Sequence, residues 1–299
     1  MTAVTLSDEP PRGADLILTG IARSGTTLAC TLLNRLPGTV ALLVPMSPRL
    51  LLGLPSAAAV GGAISAFLAA QRKTLLERGE AISRGRDGVI PDNPYGPSPG
   101  PGGLRRSVVT EGVVRFEKPL AADFRLVIKH PSCFTALLGG LVGRFPCFAM
   151  VRNPLAVLLS WQTTEANWND GRQPAAEMFD DGLRRRLDAA PDRVGRQLAM
   201  LAWSFEQYAR HLPAERVIRY EDLIASRGRA LAGIDPEAQT LWEPLEDRNT
   251  SPLYRGCDVA GLAARLIDSD GPQWDFYSRE AVALVADRLE AESGSQEMG

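Results

Sequence analysis

Residues 20–27, GIARSGTT, have the residue types and the spacing of a loop that binds phosphate. An apolar run at 16–19 leads into this loop, and a helical pattern follows it. The glycines permit a tight turn with close approach of the backbone to an anion, and the helix start directs free N–H groups at that anion. The frame is that of a Walker A loop, except that Thr26 stands where ATP-binding loops have lysine. Because Arg23 supplies a cation inside the loop, we expect a terminal anionic group of low charge rather than a triphosphate.

A second candidate anion site follows the apolar run at 147–151. Arg152 comes directly after that run, Asn153 is suited to cap the next helix, and Pro154 is suited to its first position. Ser160 comes eight residues after Arg152 in the same helix. In open α/β sheets, ligands bind at the carboxyl ends of the strands, so Arg152 is a candidate for holding an anion. An arginine that forms a salt bridge at a strand end would have the same local sequence.

The third candidate is the pair Lys129 and His130, which ends the apolar run at 126–129 and is followed by Pro131. A neutral imidazole can take a proton from a hydroxyl near pH 7, and a lysine ammonium can stabilise negative charge that develops on an oxygen. The two side chains therefore predict a proton acceptor and an electrostatic partner that face the same cleft as the phosphate loop. A purely structural histidine at a strand end is the alternative.

These candidates require a fold in which several strands end at one edge. Short, continuously apolar runs indicate strands buried on both faces of a parallel sheet, and they lie at residues 16–19, 39–44, 126–129, 147–151 and 216–220. Helical patterns alternate with them at about 26–35, 133–142, 154–164, 192–211, 221–226 and 278–292. The alternation predicts a single α/β domain over residues 1–299, with a central parallel sheet flanked by helices. Residues 45–90 read as a helical insertion, and the Pro/Gly-rich residues 91–103 as an irregular, mobile loop.

Composition argues against several classes of function. The formal net charge of −2 gives no reason to expect a nucleic-acid partner, and four scattered cysteines with two histidines do not indicate a zinc site or a disulfide framework. The first residues lack the apolar segment of a signal peptide, so we expect a cytoplasmic protein. Residues 50–71 are uncharged and long enough to span a membrane, but Pro55 and the glycines at 61–62 interrupt them. We therefore expect a buried or pocket-lining helix pair there and no stable membrane insertion.

Four short segments of the sequence resemble the PAPS-dependent sulfotransferase family, whose donor is 3′-phosphoadenosine 5′-phosphosulfate (PAPS). The resemblance lies in RSGTT at 23–27, R-N-P-x-x-V-x-x-S at 152–160, K-H-P at 129–131 and VIRYEDL at 217–223. It implies a P-loop-NTPase-like sulfotransferase fold and PAPS as cosubstrate, with no metal. It also implies that the 5′-phosphosulfate is held by Arg23, Ser24, Gly25, Thr26 and Thr27, and the 3′-phosphate by Arg152 and Ser160.

By the same resemblance, His130 is the general base of an in-line transfer in which Lys129 and Arg23 neutralise developing charge. The chain departs from the family pattern at two places. Leu28 follows the threonines where the cytosolic branch often has tryptophan, and no threonine separates Lys129 from His130. The family's last donor-binding loop corresponds either to residues 255–256 or to residues 271–274.

The acceptor is expected to bind near residues 45–103, which would supply its pocket and lid. The apolar composition of residues 45–70 favours a lipophilic or aromatic small-molecule acceptor with a hydroxyl or amine. Two other functions stay open: a P-loop kinase of nucleotides or small molecules, which Thr26 disfavours, and a PAPS-binding protein without catalysis. Nothing in the sequence indicates an oligomeric state.

Overall fold

The computed structural model describes residues 10–100 and 102–297, with side chains up to residue 292. Its helices and strands, in chain order, are β1 (Asp15–Gly20), α1 (Thr26–Arg35), β2 (Thr39–Leu43), α2 (Ala57–Arg78), β3 (Glu80–Gly85), β4 (Thr110–Arg115), β5 (Arg125–Lys129), α3 (Pro131–Leu141), β6 (Cys147–Val151), α4 (Pro154–Gln162), α5 (Pro174–Glu177), α6 (Asp181–Ala189), α7 (Arg193–His211), β7 (Val217–Arg219), α8 (Tyr220–Ala225), α9 (Val259–Ile267) and α10 (Arg279–Glu297). Short 3₁₀ turns lie between several of them.

Five parallel strands form the central sheet, in the order β2-β5-β1-β6-β7. The prediction of an α/β fold with a central parallel sheet flanked by helices is confirmed. Every residue of β2, β5 and β6 is buried, which is why these strands read as continuous apolar runs rather than alternating ones. Leu18 of β1 lies in register with Lys129 of β5 and with Phe148 of β6. The carboxyl ends of these three strands therefore meet at one edge of the sheet.

Helices cover both faces of the sheet in two layers of different size. Successive residues of β1 point to opposite faces, so Ile17 belongs to the larger core, whereas Leu16 and Leu18 belong to the smaller one. The larger core includes residues of α2, α3, α4, α7 and α10, and the smaller one includes residues of α1. Each fully buried leucine or isoleucine contributes roughly 1.5–3 kcal/mol by leaving water. The phosphate loop thus leads into the smaller layer, while the helix that follows Arg152 belongs to the larger.

Residues 45–90 differ from the expected helical insertion. The C-cap of α2 is Gly79, the residue after the last helical one, and its φ of 67° is the left-handed conformation that suits glycine. The chain then enters β3, which pairs antiparallel with β4. Burial alternates along most of β3, which is the period of a strand rather than of a helix. The α2 side chains Val60, Ile64 and Leu68 pack into the larger core, and none of the described helices is long and apolar enough to cross a membrane.

The Pro/Gly-rich residues lie within the longer connection between β3 and β4. The part of this connection from residue 91 to residue 109 is called the 91–109 segment. Its described residues form no helix and no strand of a sheet, yet three backbone hydrogen bonds, one of 3.0 Å and two of 2.9 Å, join its outgoing and returning arms. The returning arm is attached to the end of α4, because Arg105 N donates to Thr163 O and Glu165 N donates to Arg105 O, both at 2.9 Å. The segment thus has specific contacts at the carboxyl edge of the sheet, while its mobility stays a prediction.

Candidate functional site

The phosphate loop connects β1 to α1 and lies against β6. Gly20 has a φ of 146°, and a Cβ there would lie 2.5 Å from the carbonyl oxygen of Met150. Gly25 has a φ of 86°, and a Cβ there would lie 2.8 Å from Cδ2 of Tyr220. Both positions require glycine, because a side chain would push the loop away from β6 or from Tyr220.

The start of α1 is available to bind an anion. Gly25 is the N-cap, and among the described residues no side chain caps the first-turn N–H groups and no acidic residue lies in that turn. Gly25, Thr26 and Thr27 line a cleft, so these N–H groups and the partial positive charge of the helix start border it. Ser24 behaves differently, since its buried hydroxyl donates to Met150 O at 2.9 Å and holds the loop to β6.

Arg23 extends into this cleft from a strained backbone position. Its φ of 74° is left-handed, which costs a residue with a side chain about 1 kcal/mol or more. It donates from Nε to Ser160 Oγ (3.1 Å) and from Nη1 to Asn93 Oδ1 (3.2 Å), and its guanidinium lies 4.9 Å from the centre of the Tyr95 ring. Burial, and then Arg105, lower the pKa of Arg23 to about 10, so it stays charged at neutral pH. The two predicted anion sites are in direct contact through Arg23 and Ser160.

Arg152 stands at the carboxyl end of β6 with most of its donors occupied. Nε donates to Asn249 Oδ1 at 2.8 Å, and Nη1 donates to Arg23 O at 3.1 Å. Nη2 donates to Arg248 O at 2.5 Å and to Tyr254 Oη at 3.3 Å. Burial alone would lower the pKa of Arg152, but neighbouring tyrosines and carboxylates raise it above its ordinary value. These hydrogen-bond partners are neutral groups, so the positive charge remains available to an anion in the cleft.

Several side chains hold this corner in place. Asn153 Oδ1 accepts from two N–H groups in the first turn of α4, so the expected helix cap is confirmed. Glu221 accepts from Asn153 N at 2.8 Å and from Asn249 Nδ2 at 2.9 Å. The ring of Tyr220 lies 4.5 Å from the Arg152 guanidinium. The R-Y-E-D-L stretch therefore positions Arg152.

Lys129 is the last residue of β5 and is buried beside the start of α1. Its Nζ donates to Thr27 Oγ1 at 3.3 Å. Burial lowers the pKa of Lys129 to about 8; Cys30 opposes the shift, and Arg23 and Arg84 add to it. The ammonium is therefore charged at neutral pH and loses its proton at a far lower pH than a lysine in water.

His130 caps α3 with its imidazole. Nδ1 accepts from Cys133 N at 3.3 Å, so the proton of the neutral ring lies on Nε2. Burial, then Lys129, then Arg84 lower the pKa of His130 to about 3. In this arrangement His130 is a neutral ring that offers a hydrogen-bond donor at Nε2.

The phosphate loop, Lys129, His130 and Arg152 border one cleft of about 1500 Å³ at the carboxyl edge of the sheet. Within the part of the chain that the structure describes, nine Lys or Arg residues line it, against three carboxylates. Since the whole chain has a net charge of −2, this positive excess is local. Among the described residues, no three His, Cys, Asp or Glu side chains are grouped closely enough to hold a metal ion. The predicted site residues that line the cleft are Arg23, Gly25, Thr26, Thr27, Lys129, His130, Arg152 and Ser160, whereas Ser24 does not.

The region expected to bind the acceptor contributes only in part. The helix α2 packs into the core and does not line the cleft, which residues 46–49 and 91–97 do line. Of the apolar stretch that favoured a lipophilic acceptor, residues 46–49 therefore line the cleft, whereas the buried side chains of α2 belong to the core. Near the C-terminus, residues 251–254 border the cleft, directly before residues 255–256, whereas residues 271–274 do not.

Four cleft residues were missed by the sequence analysis. Asn93 and Tyr95 contact Arg23, and Tyr254 contacts Arg152. Asn93 and Tyr95 lie in the Pro/Gly-rich loop, which was expected as a lid but without particular residues. The fourth, Arg105, is buried and matches no motif. The sequence indicates it only by its position two residues after the Pro/Gly-rich residues.

No family model and no curated protein matches the sequence. Two solved structures resemble the chain at low similarity. One is the crystal structure of sulfotransferase STF9 from Mycobacterium avium, with 17% identity and a TM-score of 0.34 over 94% of this chain and 77% of that one. The other is the sulfotransferase domain from the Synechococcus PCC 7002 olefin synthase, with 16% identity and a TM-score of 0.32 over 94% and 96% of the two chains. Similarity at this level does not assign an activity to this chain.

Proposed function

We propose that the chain is a sulfotransferase that moves a sulfuryl group from PAPS to a hydroxyl or amine of a small-molecule acceptor. The observation that carries the proposal is the pairing of an uncapped helix start, at Gly25, with a buried arginine, Arg152, across one cleft that is rich in cations. Such a cleft suits a nucleotide with two separate anionic groups. A phosphate monoester carries roughly −1.5 to −2 charges at pH 7, which the nine lining cations can offset.

Each anionic group has its own set of donors. The first-turn N–H groups of α1, with Arg23 and Lys129, suit the 5′-phosphosulfate. Arg152 and Ser160, which are 4% and 1% exposed, suit the 3′-phosphate. Thr26 stands where a kinase loop has the lysine that reaches a γ-phosphate, so the loop favours the shorter 5′ group of PAPS.

Transfer needs one proton acceptor and charge neutralisation at the leaving oxygen. The acceptor oxygen or nitrogen forms a bond to sulfur while the bond from sulfur to the 5′-phosphate oxygen breaks. The acceptor proton passes to Nε2 of His130, and adenosine 3′,5′-bisphosphate leaves. Arg23 and Lys129 stabilise the negative charge that develops on the bridging oxygen.

The proton step makes a specific demand on His130. Nε2 can accept a proton only if the neutral ring carries its hydrogen on Nδ1, which gives up the bond from Cys133 N. That bond is long, at 3.3 Å, and a helix cap contributes about 1 kcal/mol. The anionic groups of the donor would also oppose Lys129 and Arg84 and so raise the pKa of His130 from about 3.

The variants His130→Asn and His130→Ala separate the base from the cap. An asparagine oxygen can still accept from Cys133 N but cannot take the acceptor proton, whereas alanine does neither. If His130 is the base, both variants lose turnover by roughly 10²–10⁴-fold while they still bind adenosine 3′,5′-bisphosphate. Turnover by the asparagine variant near that of the wild type would assign His130 to the cap and remove it from the chemistry.

Thermal unfolding in the presence of nucleotides tests the donor. Adenosine 3′,5′-bisphosphate should stabilise the protein, by about 2.7 kcal/mol at 100 times its dissociation constant, and ADP with Mg²⁺ should not. Release of the bisphosphate from PAPS is then measured against a panel of hydroxyl and amine acceptors. Stabilisation by ADP with Mg²⁺ alone would favour a kinase, and donor binding without transfer to any acceptor would favour a non-catalytic PAPS-binding protein.

A further inference from the structure

Arg105 is a buried arginine that the protein itself leaves mostly unpartnered. It is 2% exposed and borders the cleft. Within the part of the chain that the structure describes, its guanidinium makes one hydrogen bond, from Nη2 to Thr163 Oγ1 at 2.9 Å. Its buried Nε has no hydrogen-bond partner there. A guanidinium has five N–H donors, so most of those of Arg105 are unused.

A structural role does not account for this arrangement. A buried charge normally has an opposite charge or a full set of hydrogen bonds, because its removal from water is otherwise unfavourable. Burial lowers the pKa of Arg105, Tyr254 and Tyr95 oppose this shift, and Arg152 adds to it, while Arg105 in turn lowers the pKa of Arg23. Three guanidiniums near one another favour an anion between them.

The position of Arg105 selects which anion this is. Thr163, its hydrogen-bond partner, in turn donates from Oγ1 to Ser160 O at 2.9 Å. The charges that act on Arg105 belong to Arg152, Tyr254 and Tyr95, whereas those that act on Lys129 and His130 include Arg84 and not Arg105. The hydrogen bond to Thr163 therefore places the Arg105 guanidinium at the end of α4 that carries Ser160, and the charged groups that interact with it are Arg23 and Arg152 rather than Lys129 or His130.

We infer that Arg105 is a further ligand of the donor's 3′-phosphate, carried to Arg152 and Ser160 by the 91–109 segment. The inference rests on the proposed function, because it assumes a nucleotide with a phosphate at that end. The backbone hydrogen bonds of Arg105 to Thr163 and Glu165 fix its Cα beside α4 and leave its side chain to reach the phosphate. Through Arg105, the 91–109 segment then belongs to the donor site as well as to the region where the acceptor is expected to bind.

The test compares two nucleotides that differ only in the 3′-phosphate. Calorimetric titration measures the dissociation constants of adenosine 3′,5′-bisphosphate and of adenosine 5′-monophosphate for the wild type, Arg105→Gln, Arg105→Lys and Arg106→Gln. Arg106 is the matched control, since it neighbours Arg105 but is exposed and pairs with Glu165 at 2.6 Å. Thermal unfolding of each variant reports whether it folds.

Arg105→Gln should weaken binding of the bisphosphate by roughly 10- to 100-fold and change binding of the monophosphate by less than about threefold. Arg105→Lys, which keeps the charge without the fork of donors, should give a smaller loss, and Arg106→Gln should give none. If the wild type does not prefer the bisphosphate, the proposed function fails and the inference falls with it. If the wild type prefers it and Arg105→Gln keeps the same preference, or weakens both nucleotides equally, the inference alone is overturned.

Discussion

Two stretches of chain bring a buried arginine to the same cleft: the turn after β6 carries Arg152, and the 91–109 segment carries Arg105. The chain surrounds Arg152 with four hydrogen bonds and the face of Tyr220. It gives the Arg105 guanidinium one hydrogen bond, to a threonine hydroxyl, among the described residues. Their burial is nearly the same, at 4% and 2% exposed, so the difference lies in what surrounds each guanidinium.

The comparison separates two ways of presenting positive charge. Arg152 is fixed in position before any ligand binds, and its removal would leave several buried acceptors without donors. Arg105 is held by its backbone and by one side-chain hydrogen bond, to Thr163, so most of its guanidinium donors are left for an anion that enters the cleft. Loss of the first should therefore affect folding and binding together, and loss of the second should affect binding far more than folding.

Replacement of Arg152 should have the largest effect. Arg152→Met removes the donors to Arg23 O, Arg248 O and the buried Asn249, and an acceptor left buried and unpaired costs about 1–3 kcal/mol. We expect a loss of about 3 kcal/mol or more in the free energy of unfolding and a melting temperature lower by roughly 5–10 °C. Binding of adenosine 3′,5′-bisphosphate should weaken by at least about 100-fold.

Chemical denaturation and calorimetric titration of Arg152→Met and Arg105→Gln, side by side, check this contrast. An equal loss of unfolding free energy in the two variants would contradict it, because both arginines would then be structural.

The comparison also explains how far the sequence predicted this site. Arg152 follows a continuously apolar run and precedes an Asn-Pro pair, so strand end, cap and helix are all local patterns, and its place was predicted. Arg105 reaches the cleft because the 91–109 segment folds back and its backbone joins Thr163 and Glu165, which are about 60 residues away in sequence. No local pattern encodes such a contact.

The same division holds for the fold. The five parallel strands were predicted from buried apolar runs, but the β3–β4 pair was missed because Gly79 ends α2 only one residue before β3 begins. Ser24 was expected to help hold the donor, and its hydroxyl holds the loop to Met150 O. The loop motif did not predict this contact, because it depends on the neighbouring strand β6.

Measuring nucleotide binding between pH 7 and pH 9 distinguishes Lys129 from the lining arginines. The arginines keep their charge over this range, whereas Lys129 loses its own. The pKa of Lys129 is lowered to about 8 by burial, and a bound anion would raise it again. Binding of the bisphosphate therefore takes up a proton, and its affinity should fall as the pH rises through about 8, by about tenfold for each unit that the ligand raises the pKa.

Titrations of the wild type and of Lys129→Arg at pH 7, 8 and 9 measure this effect. The arginine variant should show no loss of affinity over that range, since its charge does not titrate there. A wild type whose affinity is constant from pH 7 to pH 9 would separate Lys129 from the donor's anionic groups.

Asn93 offers the smallest of these effects. It accepts from Nη1 of Arg23 and from Tyr95 N, so it ties the 91–109 segment to the phosphate loop without adding charge. Asn93→Ala removes one neutral partner of a charged donor, and we expect binding of the bisphosphate to change by about two- to threefold. A change as large as that of Arg105→Gln, measured in the same titration, would mean that the segment acts through its fold rather than through the charge of Arg105.

The unequal layers on the two faces of the sheet have a consequence for local opening. The phosphate loop begins α1, whose Ala29, Cys30, Leu32 and Leu33 pack in the smaller layer, while Ser160 belongs to α4 in the larger one. A nucleotide that contacts both would act as a cross-link between the two layers. Its binding should slow amide hydrogen exchange along the whole of α1, well beyond the turn that touches it, because α1 could then open only together with the larger layer.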